Sequence, residues 1–177
     1  MSPLPTHTEV SDRFALIAQE FCSAVEAAPN LGKVQMLNRV YRILPRLIGE
    51  ATSLPDVELN GDENPSNDNE RQARRSHEEW QQLYNYLKQK LGDLNLYWQI
   101  FDPTNDNEAI HGSLADDIAD IYFDLKEGFG LRQKHQTQPE KSIWCWRFGF
   151  YSHWGKHAMD ALRTIHSILE DANLGTE

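Results

Sequence analysis

The sequence calls for an all-α fold, a bundle of about five helices forming one domain over residues 1–177. Two observations carry that expectation. Apolar residues recur at three- and four-residue spacing through five long segments, the period of an amphipathic helix. The hydrophobic fraction is 40%, with five Trp, seven Phe and six Tyr, enough for a chain of this length to bury a core without staples. One short segment, residues 94–101, alternates in a strand-like way instead.

Val10, Phe14, Ile17, Phe21, Val25 and Ala28 mark the first helix, residues 10–28. Ser11 or Thr8 offers its N-cap, and Pro29–Asn30 its stop. Val34, Leu37, Val40, Tyr41, Leu44, Leu47 and Ile48 mark the second, residues 31–50. Arg39, Arg42 and Arg46 lie on its opposite side, as a solvated face or a seat for an acidic partner. Pro45 is expected to kink or split this helix near its end. Residues 52–70 hold six acids and no base among Pro, Gly and Asn, and read as a solvated acidic loop. The third helix, Arg71–Leu91, presents Trp80, Leu83, Tyr84, Leu87 and Leu91. LNLYWQIF (94–101) is ambiguous, and FDPTNDNEAIHG after it reads as a turn-rich loop. Ser113 opens the fourth helix, with Asp116 in the Glu position of a capping box. Residues 140–171 read as the fifth helix, running on through Trp154, Ala158, Ala161, Ile165 and Ile168. Its opening WCWRFGF also alternates with period two, so a strand at 143–150, paired with 94–101, stands as the alternative.

Composition excludes several function classes. Lys and Arg number 17 against 27 Asp and Glu, a net charge of −10. Non-specific nucleic-acid binding depends on neutralising phosphates with cations, so nucleic acid is not an expected partner. Cys22 and Cys145 are too few for a disulfide framework and stand in no metal-ligand spacing, and they read as core residues in a reducing compartment. MSPLPTHTEVSDRF has no basic segment before an apolar run, and no apolar run approaches the roughly 20 residues of a membrane span. The expected protein is soluble and cytoplasmic, with no membrane partner. GxSxG, phosphate-loop and dinucleotide motifs are missing.

One stretch does point to chemistry. GSLADDIADIYFDLKEG (112–128) carries five acidic residues and a single lysine. At about 100° per residue, Leu114, Ile118, Ile121, Tyr122, Leu125 and Phe129 form its core face. Asp117, Asp120 and Asp124 fall on one flank of that face. Like charges at these spacings repel, and partial burial raises the cost unless a positive group stands opposite. On the last helix His153, His157 and Asp160 fall on a flank of the same sense, and a short connection makes the two helices antiparallel neighbours whose flanks meet. Register counting sets Asp117 near His157, Asp120 near His153 and Asp124 near Arg147. Arg147, in the middle of an aromatic face beneath Tyr151 and Trp154, needs a carboxylate because an unpaired buried charge is costly.

YWQIFDP (97–103), GSLADDIADIYFDLKEG (112–128) and WRFGFYSHWGKHAMDALRTIH (146–166) resemble a bacterial family catalogued only as a domain of unknown function, series number 5063. The resemblance spans residues 10–170 and implies a small, soluble, mainly helical bacterial protein, with no activity, cofactor or catalytic residue attached. Its motif coincides with Asp117, Asp120, Asp124, Arg147, His153, Trp154 and His157.

Two functions are compatible with these residues. The first is a non-enzymatic interaction or structural domain in which Asp117, Asp120, Asp124, Arg147 and Trp154 belong to an Asp–Arg–His network between the last two helices, with an unknown protein partner or self-association. The second is a divalent-metal protein or hydrolase, with Mn, Zn or Mg held by Asp117, Asp120, His153 and His157. Glu78–Glu79 together with Asp117-x-x-Asp120 resemble the acidic helices of all-α nucleotide pyrophosphohydrolases. Their Glu-Glu-x-x-Glu element is incomplete here, because position 82 is Gln82.

Overall fold

The computed structural model describes residues 5–59, 70–100, 102, 104–105 and 107–174. Helix α1 spans His7–Glu26, α2 Lys33–Thr52, α3 Glu70–Leu91 and α4 Leu114–Lys134. The last helical rod has two pieces, α5 at Pro139–Gly149 and α6 at Gly155–Leu174, joined by a π-turn over Phe150–Trp154. Between α3 and α4 lies an antiparallel ribbon of β1 (Leu96–Ile100) and β2 (Ala109–Ser113), with Tyr97 opposite Gly112 and Trp98 opposite His111. The architecture is the expected all-α bundle with a short strand element.

Several local expectations are corrected. The cap of α1 is Thr6, whose hydroxyl accepts from the Glu9 N–H while the Glu9 carboxylate accepts from the Thr6 N–H, so both ends of a capping box are closed. Helix α2 runs through Pro45 to Thr52 without splitting. Pro45 removes one backbone donor, but Leu44, Leu47 and Ala51 on either side of it are fully buried, and their burial outweighs one lost bond. Residues 143–150 are helical, as the reading of 140–171 as a helix expects, but the partner of 94–101 is Ala109–Ser113, part of the segment expected to be loop. Of the acidic loop 52–70, Leu54 and Val57 are buried against the core rather than solvated, and residues 60–69 lie outside the described residues.

The core is one continuous set of apolar side chains from α1, α2, the end of α3, α4 and the last rod. Phe14 of α1 packs on Trp146 at 4.9 Å and on Trp154 at 6.3 Å between ring centroids. Both indoles are fully buried, and each satisfies its N–H on a backbone carbonyl, Trp146 on Leu125 and Trp154 on Trp146 itself, each at 3.1 Å. The sequence expectation included Trp154 among the network residues. The structure corrects this, because Trp154 is core with no exposed surface.

The π-turn decides where the functional side chains point. In the last rod Trp146, Phe150, Trp154 and Ala158 are all buried, three successive spacings of four. In an unbroken α-helix such a row drifts by about 120° over twelve residues. The π-turn takes up one extra residue and reduces the drift to about 20°. Gly155 makes it possible, since a Cβ there would stand 2.1 Å from the Phe150 carbonyl oxygen.

Among the described residues, no helix is long and apolar enough to cross a membrane.

Candidate functional site

The ribbon and α4 share a joint that sets the height of the aspartates. Asn95, 2% exposed, accepts from the Ala115 N–H and the Ser113 hydroxyl through its side chain, and from the Leu114 N–H through its backbone carbonyl. Ser113 in turn accepts from the Asp116 N–H at 3.4 Å, so the start of α4 is fully capped. From this fixed end Asp117, Asp120 and Asp124 rise along one flank. Across from them stand His153, inside the π-turn, and His157, in the first turn of α6.

The contacts are specific. His153 Nδ1 lies 2.9 Å from Asp124 Oδ2, and His157 Nδ1 lies 2.9 Å from Asp117 Oδ1. An ionised carboxylate only accepts, so each imidazole donates from Nδ1, and the tautomer this fixes carries its lone pair on Nε2 once the ring is neutral. Both Nε2 atoms face the same carboxylate oxygen, Asp120 Oδ2, at 3.8 Å from His153 and 3.3 Å from His157. Trp80 of α3 donates its indole N–H to the other oxygen of Asp120 at 2.6 Å. Tyr97 of β1 donates its hydroxyl to the other oxygen of Asp117 at 2.7 Å. Asp116 closes a second group with Asp117 and His157, whose potential ligand atoms lie within 4.8 Å of one another. Burial falls from one end to the other, with the Asp117 side chain 4% exposed, Asp120 16%, Asp124 25% and His153 49%.

The structure therefore brings together Asp117, Asp120, Asp124, His153 and His157, and it sets Arg147 apart. The Arg147 guanidinium is 3.7 Å from Asp56 and 4.9 Å from the centre of the Tyr151 ring, and its buried Nε has no partner among the described residues. This corrects the expected pairing with Asp124, which instead binds His153. The reason is the π-turn. Arg147 precedes it, while His153 lies within it and His157 follows it, so a helical wheel that ignores the extra residue misplaces Arg147 by about 100°. Trp80 and Tyr97 carried no sequence signal as site residues, because both sit in apolar periodic runs and only their polar tips reach the aspartates. Glu78 and Glu79 are exposed on α3. On α2, Arg46 pairs with Glu20, whereas Arg39 and Arg42 line an open cavity of about 310 Å³ with Leu31, Gln35 and Asn38.

Electrostatically the cluster is short of positive charge. The hydrogen bond to Asp124 holds the His153 imidazolium above the usual histidine range against the pull of burial. Burial would lower His157, yet its bond to Asp117 and the charges of Asp117 and Asp120 raise it. Burial also lifts the carboxyl of Asp120, and that of Asp160 on α6. Every one of these groups favours its protonated form in the fold. Stability from a raised group is complete below its unfolded value and disappears as pH rises through the folded one. The metal-free protein is therefore expected to melt at lower temperature at about pH 8.5 than at about pH 6, as read by thermal melts across a buffer series. A melting temperature that rises over that interval contradicts the assignment.

Among curated proteins, none matches the chain. The crystal structure of protein BF1032 from Bacteroides fragilis, a Northeast Structural Genomics Consortium target, is similar at a TM-score of 0.69 and 25% identity, over 88% of this chain and 89% of that one. The overall fold of this chain is thus similar to that protein's. A family model matches residues 5–171, which include every residue of the Asp–His cluster and both of its outer donors, and the chain belongs to that family, described as Domain of unknown function (DUF5063).

Proposed function

We propose that the cluster is a mononuclear divalent-metal site, with Asp120, His153 and His157 as ligands and Asp117 and Asp124 as the carboxylates that hold the imidazoles. One observation carries this reading: both Nδ1 atoms are tied to carboxylates, and both Nε2 atoms converge on one oxygen of Asp120. Carboxylate–imidazole–metal relays have this form, in which the outer carboxylate fixes the tautomer and raises ligand basicity. Ligands bound at about 2.0–2.2 Å stand roughly 3–3.5 Å apart. The observed 3.3 and 3.8 Å separations are close to that before any ion draws them in. Two imidazoles with one carboxylate suit Zn, Mn or Fe, and disfavour Mg, which prefers oxygen and water. Two histidines face the carboxylates of Asp116, Asp117, Asp120 and Asp124, so a dication supplies charge that otherwise has to come from bound protons.

The sequence expected Asp117 to be a ligand. On this reading it is the partner of a ligand, because its oxygens are taken by His157 Nδ1 and Tyr97. The second reading is a non-enzymatic structural network, and the hydrogen bonding of both Asp117 oxygens favours it. Gln82, together with the exposure of Glu78 and Glu79, argues against a pyrophosphohydrolase-like site. We place the protein in the cytoplasm on its two free thiols, buried Cys22 and half-buried Cys145, and its net charge of −10 supports a protein that does not act on nucleic acid.

Elemental analysis of untagged protein, with melts in EDTA and in added Zn, Mn or Mg, separates the two readings. The metal site predicts near-stoichiometric Zn, Mn or Fe, or a metal-dependent rise in melting temperature that disappears in Asp120→Ala and His157→Ala. At a hundredfold excess over Kd the rise corresponds to about 2.7 kcal/mol. No metal and no shift leaves the structural network.

A further inference from the structure

We infer that the ribbon belongs to the metal site, with Tyr97 as a positioning residue that sets the imidazole of His157 through Asp117. The inference rests on the metal reading and deepens it. Asp117 has two oxygens and two donors, Tyr97 Oη at 2.7 Å on one and His157 Nδ1 at 2.9 Å on the other. With its side chain 4% exposed, water has little access to it. The rotation of this carboxylate, and with it the direction of the His157 Nε2 lone pair, is therefore fixed by where the phenol stands.

The chain fixes the phenol in two ways. Asn95, two residues before Tyr97, is bonded to the first residues of α4, so β1 leaves the helix start at a set angle. Gly112, opposite Tyr97 in the ribbon, gives the ring its place, since a Cβ there would be 2.4 Å from the ring carbon Cζ and 2.7 Å from the hydroxyl oxygen. Both neighbours of Tyr97 in β1, Leu96 at 60% and Trp98 at 64%, point to solvent. The side chain that turns inward is the one that meets Asp117. A ribbon of five-residue strands adds little to a helical core, and its tie to a buried carboxylate gives it a role in the site.

The test compares wild type, Tyr97→Phe and Trp98→Phe, the last on the exposed face of the same strand. Three quantities are measured: Zn affinity by competition with a chromophoric chelator, the visible spectrum of the Co(II)-loaded protein, and the imidazole 15N shifts of His157 in metal-free protein. Loss of an outer-sphere partner costs about 10- to 100-fold in metal affinity, and Tyr97 acts one bond further out, so a loss of about tenfold is expected for Tyr97→Phe. A changed Co(II) spectrum and a shift of His157 away from the Nδ1–H tautomer are expected with it, and Trp98→Phe should match wild type in all three. Unchanged affinity and spectrum in Tyr97→Phe, even with a lower melting temperature, overturns the inference. If wild type binds neither Zn nor Co(II), the metal reading fails. The 15N shifts then still decide whether Tyr97 sets His157, and identical shifts in wild type and Tyr97→Phe reject that as well.

Discussion

Asp117→Ala is expected to lower stability by about 3–5 kcal/mol, the cost of breaking a buried charged pair from one side. At roughly 2–4 °C per kcal/mol for a chain of this size, the melting temperature falls by about 10 °C. Two effects oppose each other here. Burial penalises the Asp117 carboxylate, and removing it relieves that penalty. The substitution also leaves the Tyr97 hydroxyl and His157 Nδ1 without the acceptor both point at. The second effect wins because unmet buried donors keep their full desolvation cost. The same logic predicts a recovery: Asp117→Leu combined with Tyr97→Phe and His157→Leu removes charge and donors together, and should melt close to wild type. If Asp117→Ala melts within a degree of wild type, the relay does not hold these elements together. If the triple variant melts no higher than Asp117→Ala, the cost lies elsewhere than in the orphaned donors.

Where a helix has an unbroken apolar period, the sequence alone located it. Helices α1 to α4 show this, with Phe14 and Phe21 in the first, Leu37 and Leu44 in the second, Leu87 and Leu91 in the third, and Ile118, Ile121 and Leu125 in the fourth, all fully buried. Strand β2 escaped notice because AIHGS is short, carries one β-branched residue and follows a run of turn formers, so its pairing with β1 is a tertiary fact rather than a local preference. The π-turn left a trace that is readable afterwards: Trp146, Phe150, Trp154 and Ala158 repeat every four residues, too long a period for an α-helix. Counting without that extra residue set Arg147 in the middle of the aromatic face, at the level of Asp124.

The five residues that converge in the site were legible because they depend only on two helices being antiparallel neighbours and on the residue spacing along each. His153 and His157 are four apart, and Asp117, Asp120 and Asp124 span two turns. The outer donors depend on elements further along or back in the chain. Trp80 is 40 residues from Asp120, and Tyr97 reaches Asp117 only because the ribbon folds its start against α4. An aromatic residue in an apolar run does not say where its polar tip will go.

Gly155→Ala should show how far site and fold depend on one helical irregularity. The new Cβ would stand 2.1 Å from the Phe150 carbonyl oxygen and 2.8 Å from its ring. A side chain could rotate away, but a backbone oxygen cannot, so the rod must either distort or give up the π-turn. Overpacking of this kind costs about 1–3 kcal/mol. Giving up the π-turn turns everything before it by about 100° relative to α6. Trp146 then leaves its pocket against Phe14, or His157 leaves Asp117, since one straight helix cannot serve both contacts. The expected result is a loss of at least about 3 kcal/mol, with metal binding lost even where the variant still folds. Gly130→Ala is the control. Gly130 lies inside α4 with nothing within 4 Å of its would-be Cβ, and alanine there should stabilise by about 0.5–1 kcal/mol through helix propensity alone. Calorimetry on the two variants, with zinc titrations of each, measures both effects. Equal melting temperatures for Gly155→Ala and wild type would remove the π-turn as the device that aims the histidines.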